Sequence, residues 1–127
     1  PEKKQKEKTN NDLSIFTVNK NNSRKIPLPS QYGTFYMDES FFLYAKAAGA
    51  YCEINLIDGR KVILSKSLGD FEEMTTDFNF FRTHKSYIIN LNYVGELVKK
   101  DGYHIIMKNN VTIPLSTRRR DEFITKI

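Results

Sequence analysis

The chain has 127 residues, 39% of them hydrophobic and 28% charged, and a formal net charge of +5. That length suits one domain, burying roughly two-thirds of its unfolded surface. No run approaches the roughly 18 apolar residues of a membrane span, no apolar leader follows the charged opening, and the one cysteine, Cys52, excludes an internal disulfide, so a cytoplasmic setting is expected.

The placement of charge matters more than its total. Residues 1–26 hold seven Lys/Arg against three acids, whereas the remainder holds thirteen against twelve. Any nucleic-acid surface on the folded part is therefore a matter of a few loops, not of a basic face.

Residues 1–25 read as a basic polar linker or arm, flexible at its start, because 1–12 offer almost nothing to bury. Within it, Leu13 to Val18 is apolar enough for a short strand or helical turn. Residues 26–127 read as the domain. Ile26-Pro27-Leu28-Pro29 suits an edge strand, since proline cannot donate to a ladder. Gly33 to Met37 is a strand and Asp38-Glu39-Ser40 a turn. Phe41 to Ala45 and Ala50 to Leu56 are strands flanking a Lys46-Ala47-Ala48-Gly49 loop. Cys52, in the alternating run of the second, is expected to pack as a small hydrophobe. Asp58-Gly59 signals a hairpin into Lys61 to Leu64.

At Ser67 the period changes. Leu68, Phe71 and Met74 make a short helical stripe, with Ser67 as N-cap and Glu72-Glu73 expected to face solvent. Phe78 to Phe81 is a short apolar run. Tyr87 to Ile89, Tyr93 to Val98 and Tyr103 to Met107 are strands. Asn109-Asn110 turns the chain into Val111-Thr112-Ile113, where Pro114 is expected to end regular pairing. Ser116 or Thr117 is placed to cap a last helix through Phe123 and Ile127. The pattern predicts a mostly β domain of small antiparallel sheets with one or two short helices.

Catalysis has little to stand on. The two histidines, His84 and His104, have no partner at ligand spacing, and no HExxH, CxxC, GxSxG or phosphate-binding glycine loop occurs. No enzyme activity, cofactor, metal or small-molecule substrate is expected. Three polar loops carry more. Arg82-Thr83-His84-Lys85-Ser86, delivered into the apolar Tyr87-Ile88-Ile89, puts cations and hydroxyls where they suit phosphates and base edges. Arg82 and His84 serve equally as local hydrogen bonds to backbone carbonyls. Ser116-Thr117-Arg118-Arg119-Arg120 sets three cations at a helix start, against the helix dipole, and a phosphate partner would offset that. Lys46 to Tyr51 has small residues that let a partner approach the backbone.

These loops occur in the order and spacing of the LytTR DNA-binding domain. Phe81-Arg82-Thr83-His84-Lys85-Ser86-Tyr87-Ile88-Ile89-Asn90 resembles its most characteristic motif. Leu43 to Tyr51 is similar to its strand, glycine turn and tyrosine. Asp58-Gly59-Arg60-Lys61 resembles its hairpin, Ser67-Leu68 with Phe71 its helix start, and Ile113-Pro114-Leu115-Ser116 with Arg118-Arg119 its closing element.

The resemblance implies an elongated assembly of small sheets whose loops enter successive major grooves. It also implies the setting: the output domain of a bacterial response regulator in a two-component system, dimeric through a missing upstream domain, on paired direct repeats of double-stranded DNA. By position it implies DNA contact from Lys46, Tyr51, Arg82, His84, Lys85, Ser86, Ser116, Thr117, Arg118 and Arg119. Lys85 takes the DNA-facing place between His and Ser, with Arg82 and His84 in support. The chain departs from the family at Ala50, where a polar residue is usual, and at Thr117, where arginine is usual and Arg118 follows one place later. Those departures keep a second reading open, an interaction or dimerisation domain with weak or lost DNA binding. The aromatic content keeps a third, a single-stranded nucleic-acid module.

Overall fold

A computed structural model describes residues 24–127; Leu13 to Val18 and most of the basic arm lie outside them. The strands are β1 (Lys25–Ser30), β2 (Gly33–Asp38), β3 (Phe42–Ala48), β4 (Tyr51–Leu56), β5 (Lys61–Leu64), β6 (Phe80–His84), β7 (Tyr87–Asn90), β8 (Val94–Lys99), β9 (Tyr103–Met107) and β10 (Thr112–Leu115). Helix α1 (Leu68–Met74) lies between β5 and β6, and α2 (Arg120–Lys126) closes the chain. Single 3-10 turns occupy Glu39–Phe41, Leu91–Tyr93 and Thr117–Arg119. The strands form three antiparallel sheets: β1–β2, a five-stranded sheet in the order β5-β4-β3-β7-β6, and a three-stranded sheet in the order β10-β9-β8. The fold class is the one the sequence predicts.

The five-stranded sheet is buried on both faces, which is why its inner strand β7 reads as a continuous apolar run. Ile88 enters one core with Phe42, Ile54, Leu64 and Phe71; its neighbour Ile89 enters the other with Leu43, Ile105, Ile113 and Phe123. The first core is closed by β1–β2 and α1, the second by the three-stranded sheet and α2. A bulge at Leu43 shifts the β3–β4 register, so that Leu43 and Tyr44 both turn to the second core.

Helix α1 starts as its sequence predicts. Ser67 Oγ accepts from the Asp70 N–H at 3.1 Å, and the Asp70 carboxylate accepts from the Ser67 N–H at 3.4 Å. This capping box contributes about 1 kcal/mol. Leu68 and Phe71 are buried beneath it, with the Phe71 ring 5.3 Å from that of Phe42. Cys52 is fully buried, and burial, with the Asp70 charge adding to it, pushes its thiol up to about 11, so it packs as expected and is a poor nucleophile.

Three local expectations are corrected. Lys46, Ala47 and Ala48 belong to β3, so the first loop is only Gly49-Ala50. Pro114 does not end pairing; it stands opposite His104 in β10, an edge strand that tolerates a missing N–H. Neither Ser116 nor Thr117 caps the last helix by its side chain: α2 begins at Arg120 after a 3-10 turn, anchored by the buried Phe123, whose ring is 5.9 Å from that of Phe81.

Candidate nucleic-acid interface

Strand register brings the three sequence-predicted loops to one edge. Strand β3 runs toward that edge and turns at Gly49-Ala50 into β4, the turn requiring a left-handed residue that Gly49 supplies at φ +67°. Lys46 pairs with Tyr87, and the Ala47 N–H donates to the Ser86 carbonyl at 2.9 Å, so the Lys85-Ser86 turn lies beside the end of β3. The Ser116 N–H donates to the Thr83 carbonyl at 2.8 Å, tying the third loop to the second.

Arg82 builds the second loop. It sits on β6, not in the loop, and its side chain is 17% exposed. Its guanidinium donates to the His84 carbonyl at 2.9 Å and the Lys85 carbonyl at 2.5 Å, and pairs with the Glu72 carboxylate at 2.8 Å. The planar fork thus ties the turn to α1, a geometry lysine cannot copy. His84 Nδ1 accepts from the Ser86 N–H at 3.1 Å. Arg82 bonds carbonyls as the sequence allowed, whereas His84 acts as an acceptor. Glu72, expected to face solvent, is the missed residue; it lies two residues before the end of α1 and ten before Arg82, a separation that carries no local pairing signal.

A bulge at Thr83 interrupts the β6–β7 register beside this turn, where bulges commonly re-aim side chains. It leaves the buried Thr83 Oγ1 without a hydrogen-bond partner in the protein. Thr83→Val is therefore expected to stabilise the domain by about 1 kcal/mol. A urea titration should show a raised midpoint at unchanged slope.

With Arg82 and His84 held inward, other groups face outward. Lys46, Lys85 and Arg118 are exposed, Arg119 is half-buried, and none has a carboxylate partner among the described residues. Arg82, His84, Lys85, Ser116, Arg118 and Arg119 line one open cleft of about 340 Å³. Ser116 Oγ is buried there and has no hydrogen-bond partner in the protein. Thr117 is exposed above it, and Ser86 is half-buried with both backbone groups engaged. Tyr51 (53% exposed) and Lys46 flank the first turn, outside the cleft. Arg120 diverges: its guanidinium pairs with Asp121 at 2.6 Å and sits 5.2 Å from the Tyr103 ring.

Comparisons with known proteins bear on the fold and the family. The chain is 25% identical over 108 residues to the sensory transduction protein LytT of Oceanobacillus iheyensis, covering 82% of this chain and 44% of that protein. It is 25% identical over 116 residues to LytT of Bacillus subtilis, covering 89% and 48%. The chain thus spans less than half the length of these curated relatives. In fold it is similar to a solved LytTr DNA-binding domain from Bacillus cereus, with a TM-score of 0.67 at 21% identity over 81% of this chain and 95% of that one. The sequence model of the LytTr DNA-binding domain matches residues 33–127, three-quarters of the chain, and the protein belongs to that family.

Proposed function

We propose that the domain binds double-stranded DNA sequence-specifically, as the output domain of a bacterial transcription regulator. The observation that carries this reading is the convergence of three loops on one edge, with Lys46, Lys85, Arg118 and Arg119 unpaired among the described residues. Lys85 and Arg118 are the base readers, because both are exposed and long enough to reach guanine O6 and N7 in a major groove. Arg119, Ser116, Thr117, Ser86, Lys46 and Tyr51 contact phosphate and sugar, which position a protein without reading sequence. Arg82 and His84 act through the turn they shape. The setting that fits is cytoplasmic, with the domain dimerised through an upstream receiver on paired direct repeats; with a nearly neutral folded part, tight binding depends on two linked domains.

The single-stranded alternative has less support. It requires stacking rings along one sheet face. Among the described residues no strand carries more than one exposed ring: Tyr36 lies in β2 and Tyr51 in β4, whereas Tyr32 is in the hairpin turn and Phe41 in a 3-10 turn. Selection of bound duplexes from a random pool tests the proposal. Enriched direct repeats spaced by a helical turn are expected, and recovery of no preferred duplex would contradict it.

A further inference from the structure

A fourth loop reaches the same edge. Strand β5 pairs antiparallel with β4, with Leu64 opposite Cys52, so Ser65 emerges level with Tyr51. The Ser65 N–H donates to the Pro29 carbonyl at 3.0 Å, which brings the far end of the β1–β2 hairpin alongside. The Gln31-Tyr32 tip and Lys66 therefore continue the line of turns that begins at Lys85-Ser86 and passes through Gly49-Ala50. The family match begins at residue 33, so the tip lies just outside it.

This end of the edge is built differently from the other. Tyr32 is 90% exposed at the tip, and Gln31 and Lys66 are exposed with no hydrogen bond or ion pair among the described residues. Between tip and sheet runs an open groove of about 740 Å³, with Tyr32, Phe35, Tyr51, Val62 and Ile63 among its walls. The tip itself is held in shape: Ser30 Oγ donates to the Gly33 carbonyl at 3.1 Å and accepts from the Tyr32 N–H at 3.2 Å. The turn presents a phenol and an amide at a groove whose walls carry Phe35, Val62 and Ile63 beside the cations Arg60 and Lys61, and Lys66 adds an ammonium just beyond Ser65. This mixture matches a sugar–phosphate backbone, whose deoxyribose faces are apolar and whose phosphates accept hydrogen bonds.

We infer that the Gln31-Tyr32 tip, Lys66 and this groove form a second contact with duplex DNA, on the backbone flanking the stretch read by Lys85 and Arg118. The inference rests on the duplex-binding reading and extends it by one contact. Tyr51, which lines the groove at the first turn, joins the two surfaces. Crossing from β4 to β5 and on to the hairpin moves the contact about 10 Å along the edge, or about three base pairs. As a contact with phosphate and sugar, it is expected to be independent of sequence.

Tyr32→Ala and Lys66→Ala, both at exposed positions, test this against duplexes with and without about six extra base pairs at each end. On the long duplex each variant is expected to bind about five- to tenfold more weakly than wild type, and Lys66→Ala to lower the salt slope by about 0.9. On the short duplex both should match wild type. Variants equal to wild type on both duplexes, with Lys85→Ala still impaired, overturn this contact while leaving the reading of the three loops intact. Variants that shift the sedimentation of the free protein instead assign the groove to a second copy of the chain and also overturn it. No duplex binding by wild type overturns both.

Discussion

Lys85→Ala and Arg118→Ala each weaken binding to a selected duplex by roughly 1–3 kcal/mol, about five- to 150-fold, and relax selectivity at the base each one reads. Both side chains are exposed and without a carboxylate partner among the described residues, so truncation removes no interaction within the fold. Thermal unfolding of both variants should match wild type. Arg119→Ala, by contrast, should weaken binding evenly across sequences and flatten the salt dependence, as loss of a phosphate contact does. Titration of each variant against the preferred duplex and a scrambled one separates the two behaviours. Equal losses on both duplexes for Lys85→Ala would remove it from base reading.

Arg82→Ala has the second large effect, and on two readouts. It leaves the His84 and Lys85 carbonyls without their donor and Glu72 without its partner, costing about 2–3 kcal/mol of stability. Because those carbonyls belong to the turn that carries Lys85, specific binding should fall at least as far as for Lys85→Ala. Arg82→Lys restores the charge but not the fork, so it is expected to recover little of either. Glu72→Ala separates positioning from contact. Glu72 is on α1, half-exposed, with its carboxylate on Arg82, so stability should drop by less than about 1 kcal/mol. The affinity for the preferred duplex should still fall severalfold as the turn loosens. Wild-type affinity in Glu72→Ala would show that the ion pair does not position the loop.

Most of the fold was legible because its signals are local. The Tyr87-Ile88-Ile89 run identifies a buried strand, Asp58-Gly59 a hairpin, and Ser67 before the Leu68-Phe71 stripe a helix start, each through a period or cap that needs no distant partner. What was not legible depends on partners far along the chain. Pro114 reads as a terminator until β10 is known to be an edge, where a missing N–H has no consequence. Lys46 and Ala47 read as loop until pairing with Tyr87 and Ser86 extends β3. Ser116 reads as a helix cap until its N–H is found on Thr83 and its turn proves to be 3-10.

The site divides in the same way. The exposed placement of Lys85 and Arg118 follows from the motif, since short polar turns between apolar strands emerge at a sheet edge. The distinction between Arg82, which holds the loop, and Lys85, which projects from it, becomes concrete only through the bulge at Thr83 and the carboxylate of Glu72. A nearly neutral folded part confines the proposed duplex contact to a few loops. The alignment of turns at 31–32, 49–50, 85–86 and 117–119 gives that confinement a geometry.

The most direct measurement is an amide chemical-shift map of the domain during titration with its selected duplex. The largest shifts are expected at the turns around Gly49-Ala50, Lys85-Ser86 and Thr117 to Arg119, continuing to Tyr32 and Lys66, with the opposite end near Asp58-Gly59 and Asn90 unmoved. Shifts centred on that opposite end, or none on adding duplex, would contradict a DNA-reading edge.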